Sequence, residues 1–293
     1  MSSAVGSTSA APSRPFSFDV QAGAEVCPQP SWKELGEGRP PQRIISADFL
    51  GAFKDARLSG VTPASQLAAR PAPEMVSSGI AAIDALTGGL PRGCLTEICG
   101  PASSGRTTLL VAALAAATRR GECCVVVDAS DVLDPQSAAA AGVELTRLLW
   151  VRCGESSPQA RLEQLLRAAD LLLESGGFGL IALDLGDLPP QTARHIPLTT
   201  WFRFRRAVEH TPTVLLAVER QSIAGSCSSL LIKLGSLGSQ IREQPMDSQF
   251  PAPTHAHLLT GLNIKAELVR STLNRKPAGS AEITFASKTA WAG

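Results

Sequence analysis

The most informative part of this sequence is the glycine-containing stretch Gly100-Pro-Ala-Ser-Ser-Gly-Arg-Thr-Thr108. It follows a short apolar segment that ends at Cys99 and precedes an Ala/Leu-rich run at 109–118. This order of strand, glycine loop and helix has the spacing of the phosphate-binding loop G-x-x-x-x-G-K-[ST], except that Arg106 stands at the lysine position. Backbone N–H groups in such a loop, together with the amino end of the helix behind it, surround phosphate oxygens.

This loop supplies most of the candidate nucleotide-binding residues. Arg106 keeps the charge of the usual lysine, but its guanidinium is longer and planar, so the change is not neutral. The hydroxyl of Thr107 is placed to reach a magnesium ion. The candidate residues in the loop are Gly100, Ser103, Ser104, Gly105, Arg106, Thr107 and Thr108.

Bulk properties favour a soluble protein with a substantial core. The chain has 293 residues, 44% of them hydrophobic, and its net charge of +1 gives no overall basic field that would indicate nucleic acid. Its seven cysteines show neither a C-x-x-C pair nor zinc-site spacing, which favours buried apolar cysteines in a reducing cytosol. No segment resembles a secretory signal or a membrane span, so we expect a cytoplasmic protein.

Composition changes divide the chain into three predicted parts. Residues 1–43 are rich in Ser, Ala, Pro and Gly without a sustained period, which predicts a disordered tail. Residues 44–74 are predicted to form an N-terminal helical extension and a proline-containing linker. Residues 75–293 are predicted to form the core domain, with a long loop at 235–257.

The first part of this core alternates strands and helices. Continuous apolar runs predict strands buried on both faces, and an amphipathic run at 157–174 predicts a helix. Such alternation with short links predicts an α/β fold, a mostly parallel sheet with helices on both faces. The buried strands are predicted at 123–128, 178–183 and 213–218. Further strands at 229–234, 262–270 and 281–285 predict a C-terminal antiparallel meander.

The order of these pieces resembles the RecA recombinase core, a P-loop ATPase fold. The resemblance covers about residues 75–290 and rests on the loop and on several other stretches. These are Val76-Ser-Ser-Gly-Ile-Ala-Ala-Ile-Asp84, Gly88-Gly-Leu-Pro-Arg-Gly93, Val127-Asp-Ala-Ser-Asp-Val-Leu-Asp-Pro135 and Leu183-Asp184. It implies ATP and Mg as cofactors, with Thr107 and Asp184 as the metal-associated residues and Asp134 as an adenine contact.

Several positions depart from the active family. The resemblance places the catalytic glutamate at Ser130, which has no carboxylate to activate water, and the adjacent Asp131 is expected to point elsewhere. The adenine-stacking tyrosine falls near Ser137, and the chain contains no Tyr. The phosphate-sensing Asn-Gln pair falls at Glu219-Arg220, where an acid repels a triphosphate and Arg220 supplies an offsetting charge.

We therefore assign no catalytic residue and expect ATP hydrolysis to be weak or lost, because removing a positioned base costs ~10²–10⁴ in rate. Three interpretations of the loop stay open at this point. The loop still holds a phosphate group, or it only closes a strand–helix turn, or the protein is an ATPase with unusual catalytic residues.

Such an eroded site resembles the ImuA-type relatives of RecA, which act in SOS-induced translesion synthesis and DNA repair. The partners implied are a Y-family-like polymerase homologue and an error-prone DNA polymerase, with single-stranded DNA and RecA as further candidates. The segment 201–209 also looks like the arginine-rich helix of those proteins. The alternatives are a DNA-dependent ATPase of homologous recombination and a SulA-like cell-division inhibitor.

Two basic segments are candidates for DNA or partner contact. One is the predicted helix at 199–210, for which the alternative is an amphipathic helix with its aromatic residues in the core. The other lies at 261–293, for which the alternative is a solvated strand face. The residues singled out are Arg203, Arg205, Arg206, Arg270, Arg275 and Lys276.

Overall fold

The computed structural model describes residues 71–154, 157–241, 259–273 and 281–288. The chain divides into two units, Met1–Ala69 and Arg70–Gly293, and every described residue lies in the second unit. The predictions for the tail at 1–43, for most of the helical extension, and for Arg275 and Lys276 lie outside the described residues.

Strands and helices alternate through most of the described part. The strands are β1 (Met75–Val76), β2 (Leu90–Pro91), β3 (Cys94–Cys99), β4 (Cys124–Asp128), β5 (Leu148–Arg152), β6 (Leu180–Asp184), β7 (Val214–Glu219), β8 (Leu230–Ile241), β9 (Leu259–Ser271) and β10 (Ala281–Lys288). The helices are α1 (Ala81–Thr87), α2 (Arg106–Arg119), α3 (Pro135–Ala140), α4 (Pro158–Ser175), α5 (Pro190–Arg194) and α6 (Leu198–Val208).

Eight of the described strands form one sheet in the order β10-β9-β8-β3-β7-β6-β4-β5. The strands from β8 to β5 in that order are parallel, whereas β9 and β10 run antiparallel at the other side. The predicted fold class is therefore confirmed, including the C-terminal antiparallel meander. The strands β1 and β2 pair with each other in a separate small sheet.

Successive residues of the central strands pack on opposite faces of this sheet, as the strand period of two requires. In β4, Cys124 and Val126 pack with α2, whereas Val125 and Val127 pack with α4 and α6. Helices on both faces bury these strands completely, which is why they are continuous apolar runs.

Helix α6 divides its aromatic residues between the core and the surface. Its residues Trp201 and Phe204 are fully buried and meet edge to face, with ring centroids 6.0 Å apart. Such aromatic pairs stabilise a core by about 0.5–1.5 kcal/mol beyond their buried area. The helix is therefore amphipathic, with two of its aromatic residues in the core, while Phe202 is half exposed.

The predicted loop at 235–257 is wrong in its first part, because β8 continues to Ile241. This extension pairs with β9 through its backbone, and the register shifts between Ser236 and Gly238. Residues 236–239 are exposed. The extension carries no apolar period because it buries little surface, so the sequence pattern gave no sign of a strand.

Candidate functional site

The carboxyl ends of the parallel strands lie at one edge of the sheet. The register sets Asp128 beside Asp184, and it sets Cys99 beside Glu219. The glycine loop leaves β3 at this same edge and enters α2 at Arg106. The structure therefore brings together the loop, Asp184 and the Glu219-Arg220 pair, as the sequence predicts.

Two glycines fix the path of the loop. Gly105 has a φ of 91°, and a Cβ there would stand 2.3 Å from Cδ1 of Ile264. A Cβ on Gly100 would stand 2.5 Å from the carbonyl oxygen of Leu234, and its N–H donates to the carbonyl of Glu219 at 3.2 Å. Side chains larger than hydrogen do not fit, so the backbone conformation of a phosphate loop is built into the fold.

The loop hydroxyls differ in burial. Ser103 and Thr107 are exposed and Thr108 is half-buried. Ser104 is buried, and its Oγ meets no hydrogen-bond partner in the described part of the chain. A buried hydroxyl without a protein partner is uncommon in folded proteins, so the Ser104 Oγ is free to bind a polar ligand.

Arg106 is turned into the protein, with only 9% of its surface exposed. Its Nη1 donates to the carbonyl oxygen of Gly186 at 3.1 Å. A Cβ on Gly186 would lie 2.5 Å from that Nη1 and 3.1 Å from Oδ1 of Asp184, so guanidinium and carboxyl group border the same small space. Burial lowers the pKa of Arg106, and the charge of Asp184 opposes this shift.

Arg220 meets the same carbonyl. Its Nε donates to the oxygen of Gly186 at 2.9 Å, and its Nη2 lies 3.6 Å from Oδ1 of Asp187. Two guanidinium groups thus converge on one carbonyl oxygen beside the loop. The sequence placed Arg220 near the terminal phosphate, but the pairing with Arg106 through Gly186 is visible only in the fold.

Asp184 is largely enclosed by this arrangement. Its Oδ1 accepts a hydrogen bond from the N–H of Gly186 at 2.9 Å. Burial raises the pKa of Asp184 to about 6, the charge of Asp128 adds to the rise, and the Gly186 N–H and Arg106 oppose it. Magnesium prefers an ionised carboxylate oxygen, whereas a guanidinium already borders this one. The residues present fit a phosphate group better than they fit magnesium.

The positions after β4 are engaged in local structure. Asp128 accepts hydrogen bonds from the N–H groups of Ser130, Val132 and Leu133 at 2.8–3.0 Å, which fixes the turn. The Oγ of Ser130 is buried and meets no partner among the described residues. Asp131 binds Arg152 through both carboxylate oxygens, so its carboxylate is already engaged in an ion pair.

Asp134, the candidate adenine contact, caps helix α3. Its carboxylate accepts from the N–H groups of Gln136 and Ser137 and from the hydroxyl of Ser137. The Ser137 hydroxyl, near the position of the adenine-stacking tyrosine, therefore binds Asp134. Capping of this kind stabilises the helix by about 1 kcal/mol and leaves less of Asp134 available to a ligand.

A buried carboxyl pair was missed by the sequence analysis. Glu97 in β3 is fully buried and accepts from the N–H groups of Ile223 and Ala224 at 2.9 and 2.8 Å. Glu219 in β7 is 1% exposed, and its oxygens meet no donor among the described residues. Burial raises the pKa of Glu219 well above its ordinary value, and Glu97 raises it further.

Glu219 therefore keeps its proton to a higher pH than an ordinary carboxyl group does, and the protonated side chain can donate to Glu97. Burial would raise the pKa of Glu97 too, but the hydrogen bonds that it receives, from Glu219 first, lower it. The interpretation of Glu219 as an acid that repels a triphosphate is revised, because this side chain faces the core. The sequence did offer one signal for this buried pair, the charged residue Glu97 within the mostly apolar strand 94–99.

The arginines proposed for DNA or partner contact have partners in the fold. Arg203 binds both carboxylate oxygens of Asp170 at 2.9 and 2.8 Å, and Arg205 donates weakly to the carbonyl of Ser226 at 3.4 Å. Arg270 donates to the carbonyl of Gly225 and to the hydroxyl of Ser228. Arg203 thus joins α6 to α4, Arg205 joins α6 to the segment before β8, and Arg270 joins β9 to that same segment.

Arg206 differs from the other three, since its side chain is 84% exposed although it pairs with Glu209 at 3.1 Å. An exposed pair of this kind contributes little to stability. Of the four described arginines, Arg206 is thus the one best placed to contact another molecule.

A cavity of about 630 Å³ lies away from the loop, at the amino ends of the strands. Arg92, Cys94, Arg205 and His210 are among its lining residues. In the part of the chain that the structure describes, no helix is long and apolar enough to cross a membrane. Nor does any group of three or more His, Cys, Asp or Glu side chains there form a metal site.

Comparison with known proteins agrees with the fold and the loop. Residues 65–193 match the family described as the RecA N-terminal domain. This part of the chain is RecA-like. The protein RecA of Ectopseudomonas oleovorans is 43% identical over 113 residues, which are 38% of this chain and 31% of that relative. The RecA of Corynebacterium jeikeium is 44% identical over 117 residues, 39% of this chain and 30% of the relative.

The chain therefore spans about a third of the length of the RecA relatives that it matches. The family match includes the loop, Ser130 and Asp184, and it ends before Glu219 and Arg220. The relationship to RecA thus rests on the segment that carries the phosphate loop.

Proposed function

We propose that this protein is a RecA-like accessory factor of DNA repair in SOS-linked translesion synthesis. It holds a nucleotide phosphate at the loop without rapid hydrolysis and acts through contacts with proteins, and with DNA. The observation that carries this proposal is Ser130 at the position of the activating carboxylate. The nearest acids cannot replace it, because Asp128 binds backbone N–H groups and Asp131 binds Arg152.

The retained half of the site supports phosphate binding by this accessory factor. The loop backbone is fixed by Gly100 and Gly105, and two guanidinium groups lie beside it. ATP is the ligand that the resemblance implies, while the weak fit to magnesium argues against a conventional Mg–ATP complex. Bound nucleotide in this protein is a structural ligand that is not consumed.

The surface of α6 supports a role in protein contact. Leu198, Phe202 and Arg206 recur every four residues, so they share one face of this helix. Leu198 and Phe202 are each about half exposed, with Arg206 beside them. Exposed aromatic and arginine side chains are enriched at protein interfaces. The partners that we propose are the Y-family-like polymerase homologue and the error-prone DNA polymerase, with RecA as a further candidate.

ATP turnover by the full chain, with and without single-stranded DNA, tests the lack of hydrolysis. We expect turnover to stay at background and to be the same in the wild type and in Arg106→Ala. Turnover that DNA stimulates and that Arg106→Ala abolishes would overturn the accessory role.

Co-purification with the two polymerases tests the partner surface. We expect Phe202→Ala to reduce retention of a polymerase partner by about tenfold, the usual effect of losing an interface aromatic residue. Leu171→Ala is the matched control, because Leu171 is another exposed apolar residue but lies on α4. Retention of neither polymerase by the wild type would contradict the proposal.

A DNA-dependent ATPase of homologous recombination is the second candidate. It is favoured by the family match at 65–193, which contains both the loop and Asp184. The same turnover assay separates the two candidates, since a recombinase hydrolyses ATP in response to single-stranded DNA.

A further inference from the structure

Arg106 is a buried cation that forms no direct ion pair among the described residues, although the nearby charges of Asp184 and Asp187 favour its charged form. Within the described residues it makes one hydrogen bond, to the neutral carbonyl of Gly186, and it takes part in no ion pair. Arginine is seldom nine-tenths buried unless it is paired with an acid. Removing a charge from water costs several kcal/mol unless an opposite charge compensates. Asp184 and Asp187 offset part of this cost, and a phosphate group in direct contact with the guanidinium would offset more.

The second guanidinium strengthens this expectation. Arg220 donates to the same carbonyl oxygen, so both cations border one small region, and each uses only part of its five N–H donors there. Like charges this close repel each other, and a bound anion would relieve the repulsion. The loop itself carries a further polar group, the buried Ser104 Oγ, which has no hydrogen-bond partner among the described residues.

We propose that the loop binds a nucleoside di- or triphosphate without a divalent cation, with Arg106 and Arg220 supplying the positive charge. This inference rests on the proposed nucleotide-binding function and names its ionic requirement. Guanidinium groups bind phosphate oxygens in pairs through parallel N–H donors, and they carry charge where a metal ion otherwise would.

The space beside Asp184 explains why the metal is dispensable. Both Nη1 of Arg106 and Oδ1 of Asp184 border the point where a Gly186 Cβ would stand, at 2.5 and 3.1 Å. A divalent cation on this carboxyl group would lie against the guanidinium and be repelled by it. A lysine at position 106 would carry a compact ammonium charge without the paired, coplanar N–H donors of a guanidinium. It would therefore lack the bidentate contact that arginine can make with phosphate oxygens.

Equilibrium binding of ATP and ADP to the full chain, in magnesium and in EDTA, tests the proposal. We expect the dissociation constants in the two buffers to agree within about threefold. Arg106→Gln should weaken binding by about 10- to 100-fold in both buffers, the effect of losing a hydrogen-bonding charge. Arg220→Gln should act in the same direction. Arg147→Gln is the control, since Arg147 pairs with Glu144 at the amino end of β5.

Arg106→Lys gives the sharpest comparison because it keeps the charge. We expect this variant to bind ATP in magnesium but to lose about tenfold or more in EDTA, and thermal unfolding checks that each variant is folded. Wild-type binding that requires magnesium would overturn this inference and leave the nucleotide-binding function intact. Absence of binding in both buffers would overturn the inference and the binding function together.

Discussion

The two halves of the candidate site are held in different ways. The loop between β3 and α2 is fixed by backbone geometry, through glycines that no larger residue can replace. At the ends of β4, β6 and β7, acidic side chains instead bind other groups of the same chain. Asp128 accepts from backbone N–H groups of the turn that follows it, and Asp184 accepts from the N–H of Gly186. Glu219 interacts with its neighbour Glu97. A phosphate loop can therefore keep its shape while the groups for hydrolysis are used elsewhere.

The largest expected effect tests the backbone half. Gly105→Ala combines an unfavourable φ with a clash against Ile264, so we expect a loss of about 2–4 kcal/mol in the free energy of unfolding. Gly121→Ala is the matched control. Gly121 has a similar φ of 82° but nothing within 4 Å of a Cβ, so its cost should be about 1 kcal/mol. Equal costs in denaturant titrations would show that the contact with Ile264 does not fix the loop.

A smaller effect tests the turn after β4. In the wild type, backbone N–H groups donate to the Asp128 carboxylate. Asp128→Asn replaces this carboxylate with an amide, so we expect the free energy of unfolding to fall by about 2 kcal/mol. The neighbouring Asp131→Asn alters an exposed pair with Arg152 and should leave the thermal midpoint nearly unchanged. A larger loss for Asp131→Asn than for Asp128→Asn would reverse our assignment of these two acids.

The smallest expected effect is a pH dependence from Glu219. Its proton is held more tightly in the folded protein than in the unfolded chain, because burial raises its pKa. That contribution to stability is complete below the ordinary carboxyl pKa of about 4.3 and is lost as the pH rises toward the folded value. Asp184, with a pKa raised to about 6, changes stability in the same direction, between its ordinary pKa of about 3.9 and about pH 6.

Glu219→Gln replaces the proton donor with an amide that needs no titration. We expect its free energy of unfolding to fall less than that of the wild type as the pH rises above the ordinary carboxyl pKa of about 4.3. The difference should reach about 1.4 kcal/mol for each pKa unit of the shift that is titrated there. Denaturant titrations across this range measure it, with Glu144→Gln as an exposed control. Parallel pH profiles for wild type and Glu219→Gln would mean that Glu219 does not hold a proton.

Much of the fold could be predicted from local patterns. Apolar runs such as 124–128 and 180–184 predict buried strands, and the amphipathic period of 157–174 predicts α4. Prediction failed where burial is small: the exposed end of β8 has no period, and the five-residue helix α5 is too short to show one. Backbone pairing with β9 stabilises that end of β8, and pairing between distant segments leaves no local trace.

The phosphate loop, the α/β order and the replacement of the carboxylate by Ser130 can be predicted from the sequence, because each depends on residue type and spacing. The partners of the remaining charged side chains are visible only in the folded protein. Arg106 and Arg220 lie far apart in the chain and meet at Gly186, and Glu97 meets Glu219 across two neighbouring strands. Such pairings depend on strand order and on burial, and burial in turn sets the local dielectric and the pKa values. Strand order and burial cannot be derived from the spacing of residues alone.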